Sequence, residues 1–166
     1  RATELTTINT VSQQLAGKLE LAPLLDLVGE QIRTVFKADI AYVALYNPDS
    51  GVIDFPYQHG DEIKSVKYGV GLTSRIIKSG QAIIINREAD RQQHELDNKT
   101  VGKQALSYLG VPIPVGGVCL GVISVQSTDK EGVYGADDER LLSTIAANVG
   151  VALQNARLFN ETRETL

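Results

Sequence analysis

SYLGVPIPVGGVCLGVISVQS, residues 107–127, is the stretch on which the fold turns. Tyr108 to Pro114 and Val118 to Ser127 are rich in β-branched residues and flank Val115-Gly116-Gly117, so they read as two antiparallel strands joined by a hairpin turn. Along the second strand Val122, Ser124 and Gln126 share one face, while Gly121, Ile123 and Val125 share the other. The apolar set is expected to meet helices and the polar set to face a pocket. Pro112 and Pro114 carry no amide donor, so their strand is expected to lie at an edge or end irregularly.

Upstream, Ile40 to Tyr46 and Val52 to Gln58 form a second hairpin around Asn47-Pro48-Asp49-Ser50-Gly51, where Pro fixes φ and Gly accepts a positive one. Alternation groups Tyr42, Ala44 and Tyr46 against Ala41, Val43 and Leu45, which assigns Tyr42 to the pocket wall or the core. Between the hairpins, Gly69-Val70-Gly71 leads to a Thr73 or Ser74 cap, one or two helical turns and a Gly80 stop, followed by a strand from Ala82 to Ile85. Asn86 to Ala105 is polar and weakly periodic, and reads as a surface loop with a short helix.

Both ends read as helical. Leu5, Ile8, Val11, Leu15 and Leu19 recur at three- and four-residue steps. After a break near Leu21, and Pro23 in a first turn, Leu25, Val28, Ile32 and Val35 continue a second stripe to about Phe36. Asp137 and Asp138 open the last helix, where carboxylates complement the dipole. Leu142, Ile145, Val149, Ala152, Ala156 and Phe159 then form a heptad-like seam. The terminal helices, 3–36 and 137–163, read as connectors, and residues 1–166 as a single domain of a longer protein. The order of elements implies an α/β chain of the α+β type, a largely antiparallel sheet with the terminal helices over one face.

Composition excludes several functions. The net charge of −4 comes with scattered Lys and Arg, so no basic surface is prepared for nucleic acid. No apolar run is long enough to insert directly into a membrane, and no leader-like segment opens the chain, so a cytoplasmic location is expected. The lone Cys119 sits in an apolar strand and reads as a small buried hydrophobe. No nucleophile–base pair and no HExxH or CxxC spacing appears, so the chain is not expected to be an enzyme, nor to hold a metal.

Three segments together resemble the GAF domains of bacterial signalling proteins: GVGLTSRIIKSGQAIIIN (69–86), the strand pair 107–127, and YGADDERLLSTIAANVGVALQNARLF (134–159). The resemblance covers the chain from about Leu5 to Phe159. It implies a six-stranded antiparallel sheet, with terminal helices on one face and a ligand pocket under loops and short helices on the other. It also implies a regulatory role upstream of a kinase, cyclase, phosphodiesterase or transcription activator, with a histidine kinase or cyclic-dinucleotide enzyme as the expected effector.

The ligand signatures of that family are incomplete here. Cyclic-nucleotide-binding members carry Asn-Lys after the last strand and then Phe, three residues and Asp-Glu. Tyr134, Asp138 and Glu139 match the second half, but Ser127-Thr128 replace the first, and Asn98-Lys99 lies too early. A covalent bilin is not expected, because neither His59 nor His94 has a cysteine neighbour. Haem would need a proximal histidine, and His94 is the better candidate of two in loop-like sequence. Reduction of methionine sulfoxide needs several cysteines, and this chain has one.

Two readings remain. In the first, an unknown small molecule is held by Tyr42, Thr73, Ser74, Arg75, Tyr108, Ser124 and Gln126, with the free N–H groups of the Thr73 helix available to an anionic group. It shifts the terminal helices of a homodimer covalently linked to its effector. In the second, the pocket is filled by its own side chains, and the domain serves dimerisation and interaction without a ligand.

Overall fold

A computed structural model describes residues 21–69, 71–87 and 105–165, with backbone alone from 157 onward. The expected helix from Leu5 to Leu19, the segment holding His94 and Asn98-Lys99, and the side chain of Phe159 lie outside the described residues. In chain order the elements are α1 (Leu21–Phe36), β1 (Ile40–Asn47), β2 (Val52–His59), β3 (Val66–Lys67), α2 (Leu72–Ser79), β4 (Ile83–Ile85), β5 (Ser107–Val115), β6 (Val118–Ser127) and α3 (Ala136–Thr165).

The strands form a six-stranded sheet in the order β3-β2-β1-β6-β5-β4, antiparallel at every pairing. The two hairpins read from the sequence meet at its centre, where β1 pairs with β6 from Ile40↔Gln126 to Leu45↔Gly121. This is the α+β architecture expected. The two-residue strand β3 was not anticipated, because a segment that short offers no alternation to read.

The proline-bearing strand lies one place in from the edge. β4 pairs with Tyr108, Leu109 and Gly110, so from Val111 onward β5 has no neighbour on that side among the described residues. The register against β6 slips between Ile113 and Pro114. The missing amides of Pro112 and Pro114 thus fall where no ladder on the β4 side requires them.

A second irregularity decides which aromatic side chain goes to which face. The β1–β2 register shifts between Val43↔Tyr57 and Leu45↔Asp54. A one-residue slip moves side chains to the opposite face. Ile53 and Phe55 therefore join Tyr42 and Ala44 on one face, whereas Tyr57 joins Ala41 and Val43 on the other.

Two glycines bring the helices onto the sheet. A Cβ on Gly29 of α1 would stand 2.2 Å from the Tyr57 ring, and one on Gly150 of α3 would stand 1.9 Å from the Pro114 carbonyl oxygen. α1 buries Leu24, Leu25, Val28, Gly29 and Ile32. Val35, expected in that stripe, is 43% exposed, because the buried face is rotated toward Leu24. α3 presents Leu142, Ile145, Ala146, Val149 and Ala152 to the same core.

That placement corrects one expectation. Leu142, Ile145, Val149 and Ala152 were read as a seam for a partner helix, yet they are buried in the chain's own core. A stripe at three- and four-residue spacing also suits a helix lying on a sheet, and here β5 fills the role of partner. Ala156 is half-buried.

The helices also share an exit. Ile40 pairs with Gln126, so α1 ends and α3 begins at one end of the sheet. α3 then runs toward the other end, where Gln154 lies beside Gly116, and continues to Thr165.

Candidate functional site

The face opposite the terminal helices is roofed by α2, whose Ile76 and Ile77 pack on Tyr42, Phe55, Ile83, Ile85, Tyr108 and Val122. Beneath it lies a connected set of uncharged polar groups. The Tyr42 hydroxyl is 2.7 Å from Thr73 Oγ1 and 3.1 Å from the Tyr108 hydroxyl. Gln126 Nε2 donates to Ser124 Oγ at 3.2 Å, and Ser124 lies close enough to both phenols to favour their charged forms. All five residues are buried.

Register explains the convergence. Tyr42 pairs with Ser124, Ser124 with Gly110, and Gln126 with Tyr108, so the four residues surround one spot in the middle of the sheet. Gly110 leaves the gap that Tyr108 needs: a Cβ there would stand 2.6 Å from the Tyr108 hydroxyl and 2.7 Å from Ile76 Cδ1. The Tyr42 ring is fixed by an edge contact with Phe55, centroids 5.2 Å apart. Burial pushes both phenols above the ordinary tyrosine range, Tyr108 furthest. Both therefore remain neutral O–H groups.

Of the seven residues expected at the pocket, the structure brings together Tyr42, Thr73, Tyr108, Ser124 and Gln126. Ser74 is buried, but its Oγ accepts from the Gly69 amide at 3.0 Å and ties down the approach to α2. Arg75 is half-buried and its side chain takes no part in the network. Neither Thr73 nor Ser74 is the N-cap. That position is Gly71, with φ 97° and no side-chain cap, because the helix begins at Leu72, ahead of the polar pair. Gly80 closes the helix in the left-handed conformation, as expected.

Cys119 is half-buried in β6, its thiol donating to the Gly121 carbonyl at 3.3 Å, and burial pushes its pKa up. Among the described residues no group of His, Cys, Asp and Glu is arranged to hold a metal, and no helix is long and apolar enough to cross a membrane.

A family profile, that of the GAF domain, matches residues 18–154. The chain belongs to the GAF family. It is 28% identical over 172 residues to the Nif-specific regulatory protein of Azospirillum brasilense, covering 96% of this chain and 27% of that protein. The protein of the same name from Azospirillum lipoferum is 29% identical over 175 residues, with 98% and 27% covered. The chain thus spans about a quarter of the length of these relatives. Among solved structures, the GAF domain of an Acinetobacter phosphoenolpyruvate-protein phosphotransferase superposes with a TM-score of 0.76 at 17% identity, over 95% of this chain and 96% of that one. A free methionine-R-sulfoxide reductase from Neisseria meningitidis reaches 0.78 at 14% identity, over 95% and 92%. At such identities the likeness is one of fold.

Within this GAF domain, the half-matching nucleotide motif has structural partners that sequence reasoning missed. Ser127 and Thr128, standing where Asn-Lys is found in nucleotide-binding members, donate to Asp39. The Thr128 amide and hydroxyl lie 2.9 and 3.3 Å from its Oδ2, and the Ser127 hydroxyl 3.5 Å. The Thr128 amide is the main cause holding Asp39 below the usual carboxylate range. Tyr134 is gripped through its backbone by the Asn86 side chain, at 2.8 and 3.1 Å, while its own hydroxyl is buried with no partner among the described residues. Asp138 accepts from the Gly135 amide at 2.9 Å, half of a capping box at the start of α3. An Asn closing a β-branched run and an Asp opening a strand were the available signals for Asn86 and Asp39.

Proposed function

We propose that this GAF domain is the sensory regulatory unit of a larger, non-enzymatic regulatory chain. A small molecule held on the α2-covered face alters how the sheet packs against α1 and α3, and α3 relays that change to a covalently linked effector, a histidine kinase being one form. The observation that carries the reading is the placement of the hydroxyl network. Four of its five members sit on β1, β5 and β6, and the reverse faces of these strands bury Val43, Val111 and Ile123 against the helix layer. A displacement of the central strands is therefore felt on both sides of one close-packed sheet. The names of the Azospirillum relatives support a regulatory setting.

The domain works as a homodimer in this reading, through the surface of α3 that the core leaves free. From Leu141 to Ala156 that helix carries no charged residue, although Thr144, Ala147, Val151, Gln154 and Asn155 are exposed, Val151 at 58%. An outer helical face is ordinarily charged, and interface cores are depleted of charge. No nucleic-acid partner or membrane insertion enters the reading, and the location is cytoplasmic.

One observation favours the ligand-free alternative: every polar group named beneath α2 already has a partner inside the fold. Native mass spectrometry after gentle purification, combined with a thermal-shift screen of nucleotides and metabolites, separates the two. A retained mass, or stabilisation of about 1 kcal/mol at a few times Kd, supports the sensor. Neither result in any condition leaves the interaction module. A requirement for a cyclic nucleotide or haem would appear in the same screen.

A further inference from the structure

We propose that the Thr73 hydroxyl occupies the place of a ligand oxygen, and that the group admitted to the floor of this face is uncharged: an amide or hydroxyl seated on the Tyr42–Tyr108 phenol pair. The inference rests on the sensor reading above and names the ligand chemistry of that site.

Three observations carry it. First, the two phenols and Ser124 converge on a spot whose remaining partner comes from α2, a separate element, rather than from the sheet. Thr73 lies 2.7 Å from Tyr42 and is the residue by which α2 joins the network. Second, α2 is bounded by glycines and has no side-chain cap at its N-terminus. Gly71 and Gly80 have φ of 97° and 68°, conformations that side-chain-bearing residues rarely adopt. Third, the floor carries no charge among the described residues. Tyr42, Ala44, Phe55, Tyr108, Val122, Ser124 and Gln126 are its buried residues, and burial keeps both phenols neutral. A carboxylate or phosphate placed there would lose its water and find no cation among these floor residues, at a cost that a few neutral hydrogen bonds do not offset.

An amide or alcohol fits the same spot. Each hydroxyl of the network both donates and accepts, so the chain of bonds reverses to suit either kind of group. A ligand oxygen replacing Thr73 Oγ1 keeps every phenol satisfied while it releases α2. The displaced hydroxyl is the coupling between occupancy and movement. Gly110 is a positioning residue here, since any side chain at that position drives the Tyr108 hydroxyl away from Tyr42.

The test uses matched probes on one ring, benzamide against benzoate and nicotinamide against nicotinate. Binding is followed by NMR through the tyrosine ring signals and the backbone amides of Leu72–Ser79. The expected result is that the amides shift the Tyr42, Tyr108 and α2 signals with at least tenfold higher affinity than the carboxylates. Thr73→Ala should tighten amide binding by removing the competitor, and Tyr42→Phe with Tyr108→Phe should abolish it while the fold is retained by circular dichroism. Carboxylates binding there as well as amides, or no probe shifting these signals in Thr73→Ala, overturns the proposal. If the metabolite screen finds a stabilising ligand that leaves the two tyrosines unmoved, this inference falls and the sensor reading stands. If that screen finds nothing, the sensor reading falls with it.

Discussion

The two faces of the sheet are built from the same strands and by opposite rules. Toward α1 and α3 the central strands β1, β5 and β6 bury aliphatic residues, Val43, Leu109, Val111, Ile113, Ile123 and Val125, and glycines at 29 and 150 bring helix backbone against the Tyr57 ring and the Pro114 carbonyl. Toward α2 the same strands carry Tyr42, Tyr108, Ser124 and Gln126, linked in a polar network and covered, among the described residues, by an eight-residue helix. The first arrangement resists change because close-packed surfaces have no alternative fit. The second, in the proposal above, exchanges one hydrogen-bond partner for another at small net cost. A sensor needs both, a face that yields and a face that transmits.

The contrast can be broken most severely on the helix face. Leu142→Lys puts a charge into the apolar cluster between α3 and the sheet, and is expected to cost more than about 4 kcal/mol. Chemical denaturation should show the chain largely unfolded in buffer. Gly150→Ala is expected to cost about 2 kcal/mol, although alanine is the better helix former, because the Pro114 carbonyl has nowhere to go. A melting temperature equal to that of the parent would show that α3 can lift off β5 freely.

A smaller effect sharpens the contrast. Tyr134→Phe removes a buried hydroxyl that lacks a partner and is expected to stabilise by about 1 kcal/mol. Loss of stability would mean that a bridging group satisfies this phenol in solution.

The smallest effect concerns a surface ion pair. Arg33 and then Tyr57, by hydrogen bonds at 2.8 and 2.6 Å, hold the Glu30 carboxylate below its ordinary 4.5, at about 2. A depressed carboxylate contributes stability above its unfolded pKa and loses it as pH falls through the folded value. Acid denaturation between pH 4.5 and 2 should therefore be shallower in Glu30→Gln. Because Glu30 is exposed, solvent screening keeps the difference modest.

The sheet and both of its central hairpins were legible in the sequence, since two-residue alternation and turn chemistry are local. So was the division of Tyr42, Ser124 and Gln126 from Val43, Ile123 and Val125, because parity within a strand survives folding. Parity between strands is another matter. The slip opposite Val43 and Leu45 depends on tertiary pairing and sends Tyr57 and Phe55 to different faces, which no local pattern announces. The α3 stripe was legible as a stripe but not in its partner, for sheet and helix demand the same spacing. Asn86 and Asp39 act across 48 and 89 residues, and contacts that distant leave no periodic trace. The site was readable where it lies on strands and misread at Thr73 and Ser74, where a cap and a buried contact call for the same small polar residues.

The coupling of the two faces is tested most directly by hydrogen exchange of the chain with Thr73→Val, which removes the α2 contact and leaves the helix face untouched. The account predicts faster exchange in Leu72–Ser79, together with a measurable change in α3 beyond Val149. Faster exchange confined to α2, with α3 indistinguishable from the parent, would contradict it.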